Sequence, residues 1–288
     1  MIYFCADDYG ISPKSNDRIE MCNETGVLNK VSVLPNGDIK DFKHRLSDRN
    51  VEISLHINLV EGRCLADAKE VNLLVSEDGI FRHTFVGLFF LSVSNKRKEL
   101  KKQLYKEISA QIKLWTEYMG KDAGLWIDSH QHTHMIPLVF KTLLQVIEDE
   151  GVKVKYMRIP AEPVMPYILT PSLYHQYSLS GLIKQWLLKF LAFVNRGRFK
   201  RSNINTALFM GMVFSGRLAE KPVRKLLKKY SKIAEKKNKD IEIAFHPGYL
   251  EEGEQPFEGM GKDFGKFYYS KQRKVEFNTL INLKRKEG

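Results

Sequence analysis

The stretch Trp126–Ile136, W-I-D-S-H-Q-H-T-H-M-I, decides how the rest of the chain is read. An apolar run and an aspartate lead directly into His130, His132 and His134, spaced two apart. In an extended strand that spacing puts all three imidazoles on one face. Pro137 and a helical pattern follow, so the row stands where a strand hands over to a helix, the end at which α/β enzymes keep their chemistry. Imidazole is the commonest side-chain metal ligand, and three together suggest a divalent cation site. On these residues alone a His-rich surface turn, or one buried His with two exposed neighbours, competes with that reading.

The same hand-over recurs on both sides of the stretch. Ile2–Ala6 reads as a short buried strand ended by Asp7-Asp8-Tyr9-Gly10, with a helix from Ser12-Pro13 to about Gly26. Val27–Leu34 is a second strand stopped by Pro35-Asn36-Gly37, Asp38–Arg49 a short helix, and Val51–Ile57 a third strand carrying His56 at its end. Leu59–Asn95 has little period, and a loop that long is usually functional. Lys96–Met119 is a helix with Leu100, Leu104, Ile108, Ile112 and Trp115 on one stripe. Gly124–Asp128 is the fourth strand, Pro137–Glu150 a helix and Val152–Ile159 a fifth strand. Thr206–Met210 and Asp240–Phe245 read as strands, Lys221–Lys237 and Ser270–Lys286 as helices.

About seven β-α units in series imply a parallel sheet with right-handed crossovers. Asp7-Asp8, His56, the histidine row, Arg158 and His246 all fall at C-terminal strand ends, which favours a barrel rim over an open sheet. The expectation is an α/β chain whose parallel strands share one barrel-like top face. It forms one domain over residues 1–288, with 59–95 and 160–205 as active-site loops or insertions.

Composition bounds the function. The chain has 288 residues, 43% apolar and 11% aromatic, enough for a sizeable core. No apolar run approaches the roughly 18 residues of a membrane span. Met1–Gly10 reaches Asp7 and Asp8 too soon for a signal peptide. Cys5, Cys22 and Cys64 are odd in number and widely spaced, as in a reduced cytoplasmic chain. Net charge is +12, concentrated in Lys96–Lys106, Lys184–Arg201, Arg217–Lys239 and Lys271–Lys286. No nucleic-acid motif accompanies it, so solvated helix faces are the simpler source. Near Leu182–Arg201 the basic, apolar composition would also suit an anionic membrane surface, but a packed barrel helix with a wet basic side explains it with less.

Each polar cluster has a chemical and a plain reading. Adjacent carboxylates after a buried strand are costly unless they meet a cation or hydrogen bonds. One of Asp7-Asp8 can bind metal while the other takes a proton from water; an Asx turn capping the next helix is the alternative. His56, alone in an apolar strand, could equally be a hydrogen-bonded core residue. His246-Pro247-Gly248 offers a general acid, with Glu242 four residues earlier, or simply a turn. Arg158 could orient a carboxylate, bind substrate or form a surface salt bridge. Mixed Asp and His donors suit Zn²⁺, Mn²⁺, Co²⁺ or Fe²⁺, whereas Mg²⁺ would need several waters. A metal with open positions, an Asp base and a His acid are the parts needed to hydrolyse an amide.

Five segments together resemble the YdjC-like family, whose best-known members are chitooligosaccharide deacetylases. They are Ala6–Ser12 (A-D-D-Y-G-I-S), Leu55–Leu59 with Glu61-Gly62, Asp128–His134, Arg158-Ile159-Pro160 and His246–Tyr249, in the family's order and covering residues 6 to 249. The resemblance implies a distorted TIM-type barrel related to polysaccharide deacetylases, and a hydrolase that removes the acetyl group from an N-acetylated sugar with one divalent ion, Mg²⁺ or Zn²⁺, with Mn²⁺ or Co²⁺ as alternatives. It implies that Asp8, His56 and His130 bind the metal, that Asp7 is the general base and His246 the general acid. His132, His134 and Arg158 would then line the substrate site. Family members often pair as homodimers. Residues 164–205 carry no motif of the family and leave the sugar open. A metal-dependent phosphoesterase at the same site, and a non-catalytic sugar- or membrane-binding protein on the same fold, are the rival readings.

Overall fold

The computed structural model describes residues 1–47 and 49–284. Its strands are β1 (Ile2–Tyr9), β2 (Lys30–Val33), β3 (Glu52–Ile57), β4 (Leu125–Ser129), β5 (Val154–Met157), β6 (Leu208–Met210) and β7 (Ile241–Phe245). All neighbours pair in parallel, in the order β5-β4-β3-β2-β1-β7-β6. The sheet curls until the Met157 N–H reaches the Asn205 carbonyl ahead of β6 at 3.0 Å, so its two ends almost meet as an incomplete barrel.

Helices α1 (Pro13–Thr25), α2 (Phe42–Ser47), α3 (Phe85–Val93), α4 (Arg97–Met119) and α5 (Pro137–Asp149) serve the first half. Helices α6 (Met165–Ile168), α7 (Leu179–Ser202), α8 (Glu220–Lys237), α9 (Lys262–Tyr268) and α10 (Lys271–Lys284) follow. Local chemistry starts several of them. Ser12 Oγ accepts the Ser15 N–H at 3.1 Å with Pro13 in the first turn of α1, and α5 likewise begins on Pro137. In α4 the stripe Leu100, Leu104, Ile108, Ile112 and Trp115 is buried as its spacing predicts.

The two faces of the sheet differ in kind. Outward positions such as Val31, Leu55, Ile127 and Ile243 are apolar, fully buried and packed under the helices. Inward positions of β2, β3, β4 and β7 carry Lys30, Ser32, Ser54, His56, Asp128 and Glu242, also buried. The barrel interior is therefore a polar column inside an apolar shell.

Some elements depart from the sequence expectation. The segment 59–95 is not a bare loop, because Thr84 Oγ1 caps α3 by accepting the Gly87 N–H at 3.3 Å. The segment 160–205 is mostly the long helix α7, capped by Ser178. The helix expected over Asp38–Arg49 is limited to α2; Asp48 lies outside the described residues, as do Arg285 and Lys286 of the closing helix.

Candidate metal centre and catalytic rim

The site begins with a defect in β1. Ala6 pairs with Val31 and Tyr9 with Val33, so three steps on β1 match two on β2, and one extra residue bulges out. Asp8 takes up the excess in the left-handed region, at φ 69°. A regular strand would send Asp7 and Asp8 to opposite faces. The bulge re-aims Asp8, so both carboxylates serve the barrel mouth. The turn is then locked, since Asn16 Oδ1 accepts the Gly10 N–H at 2.7 Å and its Nδ2 donates to the Asp38 carbonyl at 3.0 Å.

Asp8 meets two imidazoles from separate strands. Its Oδ1 lies 2.8 Å from His130 Nδ1 and 3.3 Å from His56 Nε2. Ligand atoms of Asp8, His56 and His130 all lie within 4.8 Å of one another, and all three residues are buried. Asp8 Oδ2 is also buried and has no hydrogen bond among the described residues. Burial alone would raise the Asp8 carboxyl, but His130 and His56 hold it well below the usual carboxylate range. Burial opposes charge on the imidazoles too, yet Asp128 pushes His56 up to about 10 and Asp8 pushes His130 up to about 9. Two nitrogens and one oxygen, a carboxylate oxygen without a hydrogen bond and strong mutual attraction fit a single divalent cation between them.

Two neighbouring groups of possible ligands do not fit an ion. Cys5, Asp128 and Glu242 converge, as do Asp7, His56 and Asp128. There the cation's place is already taken. Lys30 Nζ lies 2.7 Å from Glu242 and 3.5 Å from Asp128, and Arg158 Nη2 lies 3.1 Å from Asp128. The guanidinium grips Asp7 with both ends, at 2.7 and 2.8 Å, and Glu242 at 2.8 Å. Burial works against ionised Asp7, but Arg158 outweighs it and keeps the carboxyl low. Arg158 is thus fully buried beneath Asp7, where it orients a carboxylate and is not open to solvent as a surface ion pair would be.

The histidine row does not run along one strand face. β4 ends at Ser129, and the chain over His130–Met135 turns tightly about a kink where Gln131 and His132 take φ 50° and 58°. The imidazoles diverge. His130 faces Asp8. His132 packs edge-on against Phe209 at 5.6 Å. His134 turns inward, Nδ1 2.5 Å from Ser129 Oγ and Nε2 2.8 Å from the Arg158 carbonyl, and burial pushes it down to about 4. Both nitrogens of His134 are engaged in holding the turn.

His246 follows β7 on the opposite side of Asp8 from the His130 turn and is partly open, its side chain 16% exposed. The carboxylate beside it is Glu276 of α10, with Oε2 3.5 Å from Nδ1 and 2.5 Å from the His246 backbone N. Glu242, four residues earlier, points instead into the Lys30–Arg158 network.

Four residues at the site escaped sequence reasoning. Asp128 accepts from His56 Nδ1 at 2.6 Å and so turns Nε2 toward Asp8. Glu61 places Oε2 3.6 Å from His130 Nε2. Glu276 braces His246, and Arg273, buried over Phe267 and Tyr268, reaches within 3.7 Å of Asp8 Oδ2. Asp128 and Glu61 stand inside the quoted segments, so position could have flagged them. Arg273 and Glu276 sit in a closing helix whose pattern reads only as surface.

Known proteins agree with this architecture. A solved Enterococcus faecalis protein, named as a candidate for cellobiose-phosphate cleavage, superposes with a TM-score of 0.66 at 17% identity, covering 99% of this chain and 92% of its own. At that identity the likeness concerns the fold. A Danio rerio carbohydrate deacetylase is 27% identical over 98% of this chain and 93% of its own length. A Xenopus laevis carbohydrate deacetylase is 34% identical over 54% of this chain, a match that spans about half of that protein, 49%. The model of the YdjC-like protein family matches residues 1–287, and the chain belongs to that family.

Proposed function

We propose that the protein is a metal-dependent carbohydrate deacetylase that hydrolyses the acetamide of an N-acetylated sugar, of the chitooligosaccharide type. The observation that carries this reading is the buried convergence of Asp8, His56 and His130, whose ligand atoms lie within 4.8 Å of one another, between an acid and a base that are held differently. Relatives named carbohydrate deacetylases support the substrate class.

Asp8, His56 and His130 would hold one divalent ion, with Zn²⁺, Mn²⁺ or Co²⁺ better matched than Mg²⁺ to two nitrogens and one oxygen. When bound, the ion lowers the pKa of water and polarises a carbonyl. Asp7 is ionised under Arg158 and accepts the proton of the attacking water. The new C–O bond forms at the acetamide carbon. His246, the half-open imidazole, gives its proton to the departing nitrogen as the C–N bond breaks, leaving acetate and a free sugar amine. Glu276 holds that imidazole in place from behind. Arg158, read from sequence as a substrate contact, acts through Asp7.

Acetate release tests the reading. Metal-stripped protein would be given Mg²⁺, Mn²⁺, Co²⁺ or Zn²⁺ with N-acetylglucosamine, chitobiose and longer chitooligosaccharides. Metal-dependent acetate is expected. Silence across the panel with metal demonstrably bound, and phosphate released from aryl phosphates, would overturn it in favour of a phosphoesterase.

A further inference from the structure

Helix α7 is apolar on two opposite sides, and only one of them is covered. Gly181, Gln185, Leu188, Leu191 and Asn195 face inward, where Leu188 and Leu191 pack with Met135 and Phe209, and Asn195 Nδ2 donates to the Met135 carbonyl at 2.8 Å. At 100° per residue the stripe Ile183, Trp186, Phe190 and Phe193 lies on the other side. Those four side chains are 58–60% exposed. The sequence expectation of a packed helix with a wet basic side holds in part: the helix is packed, but its outer side over residues 183–193 is aromatic and aliphatic, with Lys189 and Arg196 beside that stripe.

The flanks are one-signed. Leu179–Ser202 contains Lys184, Lys189, Arg196, Arg198, Lys200 and Arg201 and no acidic residue. Arg196 stacks its guanidinium 3.8 Å over Phe193, and Lys189 lies 5.4 Å from the Trp186 ring, so the cations border the apolar stripe. Helix α3 widens the patch. Its Phe85 and Phe89 share the core cluster of Leu188 and Leu191, while Val86, Phe90 and Val93 are exposed. Exposed apolar patches of this extent, rimmed by cations, mark interaction surfaces. None of the described helices is long and apolar enough to cross a membrane.

We infer that the α3–α7 face seats the protein on an anionic phospholipid bilayer, α7 lying in the plane of the interface with Trp186, Phe190 and Phe193 in the acyl boundary and its lysines and arginines among the headgroups. Charge selects this occupant. A second copy docked face to face would set the cations of α7 against their own copies with no carboxylate from α7 to offset them. The inference is independent of the chemistry at the barrel rim.

The test is co-sedimentation of the full chain with vesicles of phosphatidylcholine alone or mixed equally with phosphatidylglycerol, read together with its Trp emission and its mass in solution. Binding is expected to be at least about tenfold tighter on the anionic vesicles, with a blue-shifted emission. Lys189→Glu/Arg196→Glu should weaken it by about fivefold or more per charge, at about 1 kcal/mol each, and high salt should do the same. Trp186→Glu/Phe190→Glu, on side chains already in water, should abolish it while the far-UV circular dichroism and the unfolding midpoint stay at wild-type values. Wild-type protein that ignores anionic vesicles at low salt overturns the inference, as does a dimer that the same substitutions dissociate and that does not bind vesicles.

Discussion

Around Lys30 and Arg158, each of Asp7, Asp128 and Glu242 lies within 3.5 Å of one of those cations, while Asp8 faces two imidazoles on Oδ1, at 2.8 and 3.3 Å, and the Arg273 guanidinium stands off at 3.7 Å from its Oδ2. The residue types are alike and the burial is alike. The difference is charge closure. In the interior, positive groups fill the space between the carboxylates, which fixes geometry and leaves no room for an ion. At the rim, neutral-capable imidazoles take that place, so a cation can enter when they give up their protons. A ligand cluster is thus recognised by what it lacks as much as by what it contains.

That contrast can be broken at either end. The largest effect is expected at the rim itself: Asp8→Asn should leave no retained metal by elemental analysis and no turnover above background. Retention of stoichiometric metal would refute the assignment of the ion to this cluster. Next, Asp7→Asn should cut the rate by about 10²–10⁴-fold while metal content stays at wild-type level, because the proton acceptor is lost and the metal ligands are not; an unchanged rate would remove Asp7 from the chemistry.

The interior should answer with stability. Glu242→Leu removes the nearest carboxylate of Lys30 and one of the three paired with Arg158 in a buried setting, and should cost about 3–5 kcal/mol in denaturant unfolding. Removing Lys30 as well, in Lys30→Met/Glu242→Leu, should restore part of it. If Glu242→Leu instead changed metal affinity and left stability intact, the division between interior and rim would fail.

The smallest effect concerns the turn that separates them. His134 is buried and pushed down to about 4, below the roughly 6.5 of an unfolded histidine. The unfolded state therefore binds its proton first as pH falls. The stability from neutral His134 is fully present above about pH 6.5 and is lost progressively toward pH 4, up to about 3 kcal/mol. His134→Gln should flatten the unfolding free energy over that window, and an unaltered pH slope would show that the imidazole does not anchor the turn.

The strand-helix alternation and the placement of Asp7, Asp8, His56, His130 and His246 at strand ends were legible because both depend on local pattern: period, turn residues and motif order. The barrel's curl followed from seven parallel β-α units. Polar lumen positions were not legible. Lys30, Ser54 and Glu242 look like ordinary residues of short strands until curling brings β2, β3 and β7 around one axis and sets them opposite one another. The spacing of His130, His132 and His134 suggested one shared face, but left-handed residues 131 and 132 scattered them.

What the sequence determined by itself, then, is the order of elements and the donor types at each strand end, since these are written in neighbouring residues. Tertiary structure alone decided which donors share a site. The bulge at Asp8, the arrival of Arg273 and Glu276 from α10 and the burial of Arg158 under Asp7 depend on contacts across the chain's full length. So does the exposure of one apolar side of α7: its composition was readable, but which side the barrel would cover was fixed only by packing against the His130–Met135 turn and β6.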